Sequence, residues 1–123
     1  MVNLDYYCMK YGQKIGLDEA TKETDIRKAL GILQEDGIYA MFLWLEKNKS
    51  YRVRKEGLVR LYNENPIKSY LFSKKDEFPS DFSKFTEKLI TIAGNYNKLV
   101  FMKEITMRTL TYALYHTKIR AGE

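Results

Sequence analysis

The sequence is poor in the residues that most enzymes and metal sites depend on. Its 123 residues include one cysteine and one histidine. A single cysteine excludes an intramolecular disulfide framework and any cysteine-rich zinc module. A single histidine argues against histidine-based metal centres and most catalytic triads. Two prolines and seven glycines, in a chain that is 45% hydrophobic and 14% aromatic, exclude a disordered linker or a collagen-like repeat. The longest apolar run, Ile38 to Leu45, is eight residues, far short of the roughly 20 needed to span a bilayer. The opening residues Met1-Val2-Asn3-Leu4-Asp5 carry no basic run leading into an apolar one, so no signal peptide is expected. The expected setting is reducing and cytoplasmic, with no membrane partner.

Motifs for chemistry are missing as well. No phosphate loop, GxGxxG, HExxH, paired CxxC or GxSxG occurs. Cys8 lies on an apolar stripe and reads as a buried core thiol. His116 stands near Lys118 and Arg120 without a nominated acidic partner. The adjacent acids Asp18-Glu19, Glu35-Asp36 and Asp76-Glu77 read as caps and loop charges, because working carboxylate pairs converge in space rather than in sequence. No catalytic residue, metal ligand or cofactor is expected.

What the sequence does have is helical periodicity. Leu4, Cys8, Tyr11 and Ile15 make one stripe, weakened by Gly12 and Gly16, with Gly16 expected to cap its end. Thr24-Asp25 is the expected start of a second helix carrying Ile26, Ala29, Leu30 and Leu33. After the turn at Asp36-Gly37, an all-round apolar core helix is expected over about 37–48. A fourth helix is expected from Ser50, as N-cap, to about Glu64, with Tyr51, Leu58, Leu61 and Tyr62 inward. Residues 64–80, punctuated by Asn65-Pro66 and Phe78-Pro79, read as the least helical part. Ser80-Asp81 then caps a helix carrying Phe82, Phe85, Leu89 and Ile92, which ends at Gly94-Asn95. The longest helix is expected from Tyr96 to Ile119, with Leu99, Met102, Thr106, Leu110, Ala113 and Thr117 on one face. No alternating strand with a hairpin signal occurs. The expected architecture is all-α: residues 1–123 as a single helical domain, a bundle of five to six helices.

The net charge of +5 divides unevenly. Residues 1–46 hold five basic and eight acidic side chains, whereas residues 47–123 hold sixteen and eight. The densest cluster is Lys47, Lys49, Arg52, Arg54, Lys55 and Arg60, opposed only by Glu56. On a helix over 49–60, Lys49, Arg52 and Arg60 share a face with Glu56, a cationic ridge suited to phosphates. The same ridge also reads as an ordinary solvated face. Arginine is the stronger candidate for phosphate, since its guanidinium fork binds bidentately. Ten tyrosines suit base stacking or protein interfaces. Tyr11, Tyr39, Tyr51, Tyr62 and Tyr112 read most simply as core aromatics whose hydroxyls reach water.

Two segments carry a resemblance. LGILQEDGIYAMFLWLEKN (residues 30–48) resembles the signature of the small subunit of type III CRISPR effector complexes, the Cmr-type small-subunit family. There a helix reaches an Asn-Gly-Leu-like turn, followed by a strongly apolar helix ending in lysine. Asp36-Gly37-Ile38 and Lys47 take those places here. EITMRTLTYALYHTKIRAG (residues 104–122) is similar to the family's closing helix, with His116-Thr117-Lys118 where Trp-Leu-Lys is more usual. The resemblance implies an all-helical, non-catalytic structural subunit of an antiviral RNA-guided complex. It implies stacking of several copies along the guide RNA–target duplex, backbone rather than base contacts, and other effector subunits as partners. It singles out Lys47 and Lys118, which adjoin the two segments. The alternative is a helical adaptor that self-associates through tyrosine-rich faces without nucleic acid.

Overall fold

The computed structural model describes residues 3–73 and 75–122, and among these every regular element is a helix. They are α1 (Leu4–Leu17), α2 (Glu23–Asp36), α3 (Ile38–Lys47), α4, α5 (Asn65–Leu71), α6 (Phe82–Ala93) and α7 (Tyr96–Arg120). Helix α4 has a π-helical segment, Val53–Leu58, that continues into an α-helical turn, Val59–Tyr62. None of these helices is long and apolar enough to cross a membrane.

Side-chain oxygens start three of the helices by accepting backbone N–H groups: Asn3 from Tyr6, Asp81 from Lys84 and Asn95 from Lys98. Asp81 is thus the cap the sequence suggests. Helix α2 begins earlier than Thr24-Asp25, with Lys22 at its N-cap and no side-chain cap bond. Asp25 is engaged elsewhere: its carboxylate accepts the Ser50 hydroxyl at 3.1 Å. Ser50 therefore ties the start of α4 to α2. Gly37, at φ 98°, both ends α2 and begins α3, a backbone conformation that strongly favours glycine. The two helices consequently fold back on each other.

Helices α1 and α7 run parallel and almost touch. The Cys8 thiol donates to the Ile105 carbonyl. A Cβ on Gly12 would sit 2.6 Å from Tyr112 Cβ and 2.9 Å from the Thr109 carbonyl oxygen. One on Gly16 would sit 2.6 Å from the Ala113 carbonyl oxygen. The buried face of α7 opposite is correspondingly small: Thr106, Thr109, Ala113 and Thr117. The glycines that weaken α1 as an isolated helix are what lets α7 approach it. Gly16 is not the end of the helix, which continues to Leu17 with Asp18 as its C-cap. Gly57 in α4 makes room for the Ile15 side chain in the same way.

A helix is present where the sequence suggests least helix. Pro66 opens α5, where its missing N–H costs nothing. The connection after it is pinned by Phe78, 1% exposed, whose ring packs against Tyr62, Phe72 and Phe85. The Asn63 side chain brackets Phe78, accepting its N–H at 2.8 Å and donating to its carbonyl at 2.9 Å. Asn63→Ala removes both bonds, at an expected cost of about 2 kcal/mol. Hydrogen exchange should quicken at the Phe78 amide and its neighbours before the rest of the chain loosens. Unchanged protection there would show that the ring alone holds the connection.

The buried apolar residues of all seven helices form one contiguous cluster. Tyr62 lies at its centre, fully buried, its hydroxyl hydrogen-bonded to Thr106. Tyr11 and Tyr112 direct their hydroxyls to the carboxylates of Glu64 (2.6 Å) and Asp5 (2.7 Å) rather than to water. Tyr39 and Tyr51 are not core residues; both are more than a third exposed. Leu43 is also exposed, so α3 is not buried all round.

Candidate nucleic-acid interface

The π-helical segment decides where the basic cluster of α4 points. Its i→i+5 bonding widens the turn, so the 100° steps behind the expected ridge do not apply across residues 53–58. Val53, Arg54, Leu58, Val59, Leu61 and Tyr62 turn inward, while Tyr51, Arg52, Lys55 and Arg60 remain exposed.

Arg54 is therefore corrected from a surface phosphate contact to a core residue. It is 1% exposed, with its guanidinium over the rings of Phe82 and Phe85 at 5.2 and 5.3 Å. One terminal nitrogen donates to the Ser80 carbonyl at 2.8 Å and the other pairs with Glu46 at 3.4 Å. Burying the flat cation costs less than burying an ammonium, because guanidinium is weakly hydrated and stacks on aromatic faces.

The other six positions separate by location. Arg60 pairs with Glu56 at 3.1 Å, one turn back on α4. That flank continues to Glu64, which takes both Lys10 and the Tyr11 hydroxyl, so acids and bases alternate along it. Lys55 is exposed beside the Tyr51 ring. Lys49 lies ahead of α4 rather than on it, with φ +62°. Lys49, Arg52 and Arg60 thus do not form a continuous ridge.

The tertiary fold instead gathers cations at one end of the molecule. Helices α1, α3 and α7 finish there, and α2 and α4 begin there. Arg52 reaches Asp18 at the end of α1 at 2.6 Å. Arg120 donates to the carbonyls of Asp18 and Thr21, which brings the last turn of α7, and Lys118 with it, to the same end. Lys47 occupies the last turn of α3. Lys47, Lys49, Arg52 and Lys118 are thereby joined by Lys14, Lys22 and Arg120, which the linear charge cluster does not reveal. Lys14 and Lys22 fall in the acidic half of the sequence, so their contribution is invisible until α1 and α2 are placed beside α4. Cations in the last turns of α1, α3 and α7 also complement the three helix dipoles.

Two of the acids at this end, Asp18 and Asp25, are engaged with their own partners, while Glu19 beside them is exposed. Burial opposes ionisation of Asp18, but the Ala20 N–H and the Arg52 guanidinium outweigh it and hold the carboxyl below its ordinary range. Asp25 is occupied by Ser50. The ammonium groups of Lys47 and Lys49, by contrast, have no hydrogen-bond or ion-pair partner among the described residues, and both residues are exposed.

A second surface feature lies along the outer side of the α1–α7 pair. A shallow groove there is lined by Tyr6, Met9, Lys10, Gln13, Tyr112 and His116. Tyr6 and Met9 on α1 are about half exposed, and Tyr115 and Ile119, one turn apart on α7, more so.

Groups suited to covalent or metal chemistry do not gather at either place. Cys8 is completely buried, and burial pushes its thiol above its ordinary value. Among the described residues, no three His, Cys, Asp or Glu side chains are grouped to hold a metal ion. Comparisons with protein-family models, curated proteins and solved structures return no match to this chain.

Proposed function

We propose that this protein is a non-catalytic structural subunit of an RNA-guided CRISPR effector complex of type III. Its basic end rests on phosphates of the guide RNA–target duplex, and its copies stack against one another and against other subunits. The observation that carries this reading is the convergence of Lys47, Lys49, Arg52 and Lys118 with Lys22 and Arg120 at one end of the fold. A cluster of this kind tracks phosphate charge and carries no means of reading bases. The resemblance of residues 30–48 and 104–122 to the small-subunit family supplies the complex.

Titration of labelled single-stranded and duplex RNA at two salt concentrations tests the contact. Neutralising about four phosphates gives a slope near −3.6 in log–log form, roughly a hundredfold loss of affinity between about 50 and 200 mM salt. Lys47→Glu with Lys118→Glu should remove most of the binding, whereas Arg60→Ala should leave it nearly intact. Binding that is flat with salt, or absent from both the isolated chain and the assembled complex, ends this reading.

The exposed Tyr6, Met9, Tyr115 and Ile119 favour a second reading, a helical adaptor that self-associates without nucleic acid. Its signature is concentration-dependent assembly in sedimentation that needs no RNA and is lost in Tyr115→Asp. Stacking along RNA instead requires that assembly be promoted by the nucleic acid.

A further inference from the structure

Two lysines stand at positions where helix-end chemistry calls for something else, and both line the same small cavity. Lys22 is the N-cap of α2. That position favours Ser, Thr, Asp or Asn, whose side-chain oxygen accepts an exposed N–H. A lysine has no acceptor and sets its positive charge at the positive end of the helix. Lys49 follows the C-cap of α3 in the left-handed region, φ +62°. The Ser50 N–H bonds to the Leu45 carbonyl and the Lys49 N–H to the Glu46 carbonyl. This is the helix-ending arrangement in which glycine is the usual residue at the Lys49 position. Neither lysine recovers the loss through a contact, since neither ammonium has a hydrogen-bond or ion-pair partner among the described residues. Departures from local rules that converge on one place mark a site where something other than stability is served.

We propose that this cavity, lined by Lys22, Lys49, Tyr51 and Arg52, binds a single phosphate group. Its volume is about 200 Å³, below the roughly 300–1,000 Å³ of pockets for organic ligands, so it suits a phosphate and not a nucleoside. Arg52 gives its Nε to Asp18 at 2.6 Å. Its two terminal nitrogens make no hydrogen bond among the described residues, so they can donate to an anion. Three cationic groups meet two carboxylates here, Asp18, which pairs with Arg52 from outside the lining, and Asp25, which the Ser50 hydroxyl already engages, so the balance stays positive through Lys22 and Lys49. The site deepens the nucleic-acid reading, and rests on it only for the source of the phosphate.

The substitutions that test it restore the locally preferred residues, Lys22→Ser and Lys49→Gly. Each should raise the melting temperature, together by about 5 °C. In amide NMR titrations of the full chain, the probes are inorganic phosphate and hexauridylate with a 5′-phosphate or a 5′-hydroxyl. Saturable shifts at Lys22, Lys49 and Arg52, lost in the more stable double variant, are the expected result. A response to both oligonucleotides assigns a backbone phosphodiester, a response to the 5′-phosphorylated one alone assigns a chain end, and a response to inorganic phosphate alone assigns the free anion. The proposal is overturned if no probe moves these amides, if the variant binds every probe as tightly as the parent, or if it melts lower. RNA binding that keeps its steep salt dependence in the variant removes the subsite but leaves the nucleic-acid reading. Phosphate binding here by a chain that binds no RNA does the reverse.

Discussion

Gly12→Ala combined with Gly16→Ala is expected to lower the melting temperature by about 10 °C, although alanine is the better helix former at both positions. Helix propensity alone predicts a gain of about 1 kcal/mol per site. Opposing it, each added Cβ meets backbone atoms of α7, the Thr109 carbonyl at 2.9 Å and the Ala113 carbonyl at 2.6 Å. A flexible side chain could rotate away from such a contact, but a helix backbone can only translate. Moving α7 outward loosens the packing of Cys8, Ile15, Thr106 and Thr109 along the same seam, since close-packed cores do not yield locally. Overpacking of this kind costs about 1–3 kcal/mol per site, occasionally more. With backbone as the obstacle at both sites, we expect about 2.5 kcal/mol at each, a net loss of about 3 kcal/mol once the propensity gain is subtracted. Gly31→Ala provides the contrast. A Cβ there meets nothing within 4 Å, so the same change in α2 should stabilise by about 1 kcal/mol. Thermal unfolding followed by circular dichroism reads both signs. A Gly12/Gly16 variant melting at or above the parent would show that α1 and α7 are not in this close parallel contact.

Arg54→Ala should cost about 3–5 kcal/mol, as much as truncating a buried phenylalanine. It empties a volume enclosed by Phe82, Phe85 and the Ser80 backbone and leaves that carbonyl without its donor. Arg54→Lys should recover little, because an ammonium neither forks to Ser80 and Glu46 nor covers the Phe82 and Phe85 rings with a planar, weakly hydrated group. Arg54→Met keeps the volume and drops the charge. Glu46 is partly exposed and finds water, so the expected loss shrinks to about 1–2 kcal/mol. The methionine variant also separates structure from binding. Its RNA affinity should match the parent's within about twofold once the chain is folded. A folded Arg54→Met protein with tenfold weaker RNA binding would return Arg54 to the interface. Removing Arg52, Arg54 and Arg60 together is, for the same reason, no test of a basic face, because one of the three holds the core.

The helices were largely legible because burial of a stripe is written locally. Leu4, Cys8, Tyr11 and Ile15, or Phe85, Leu89 and Ile92, reveal their faces through spacing alone, and Asp81 announces a helix start through its side-chain oxygen. Helix α5 was not legible. Asn65-Pro66 reads as punctuation, yet proline is well placed in a first turn, and the residues after it become helical because Ile67 and Leu71 find a core to enter. Inward-facing residues in α4 were misread where the π-helical turn breaks the 3.6-residue period. That turn sends Arg54 to the phenylalanines and Tyr51 to the solvent.

By itself the sequence determined the all-helical character, most helix boundaries, and the scarcity of cysteine and histidine that limits the available chemistry. It also determined the excess of positive charge after residue 46, since formal charge does not depend on conformation. Only the tertiary structure decided which charges act together. The parallel seating of α7 on α1 depends on two glycines whose value appears only when the second helix is beside them. That seating carries Lys118 and Arg120 to the end where Lys22, Lys47, Lys49 and Arg52 already lie. Electrostatic neighbourhood is set by distances in space, and for residues a hundred positions apart no local pattern encodes them.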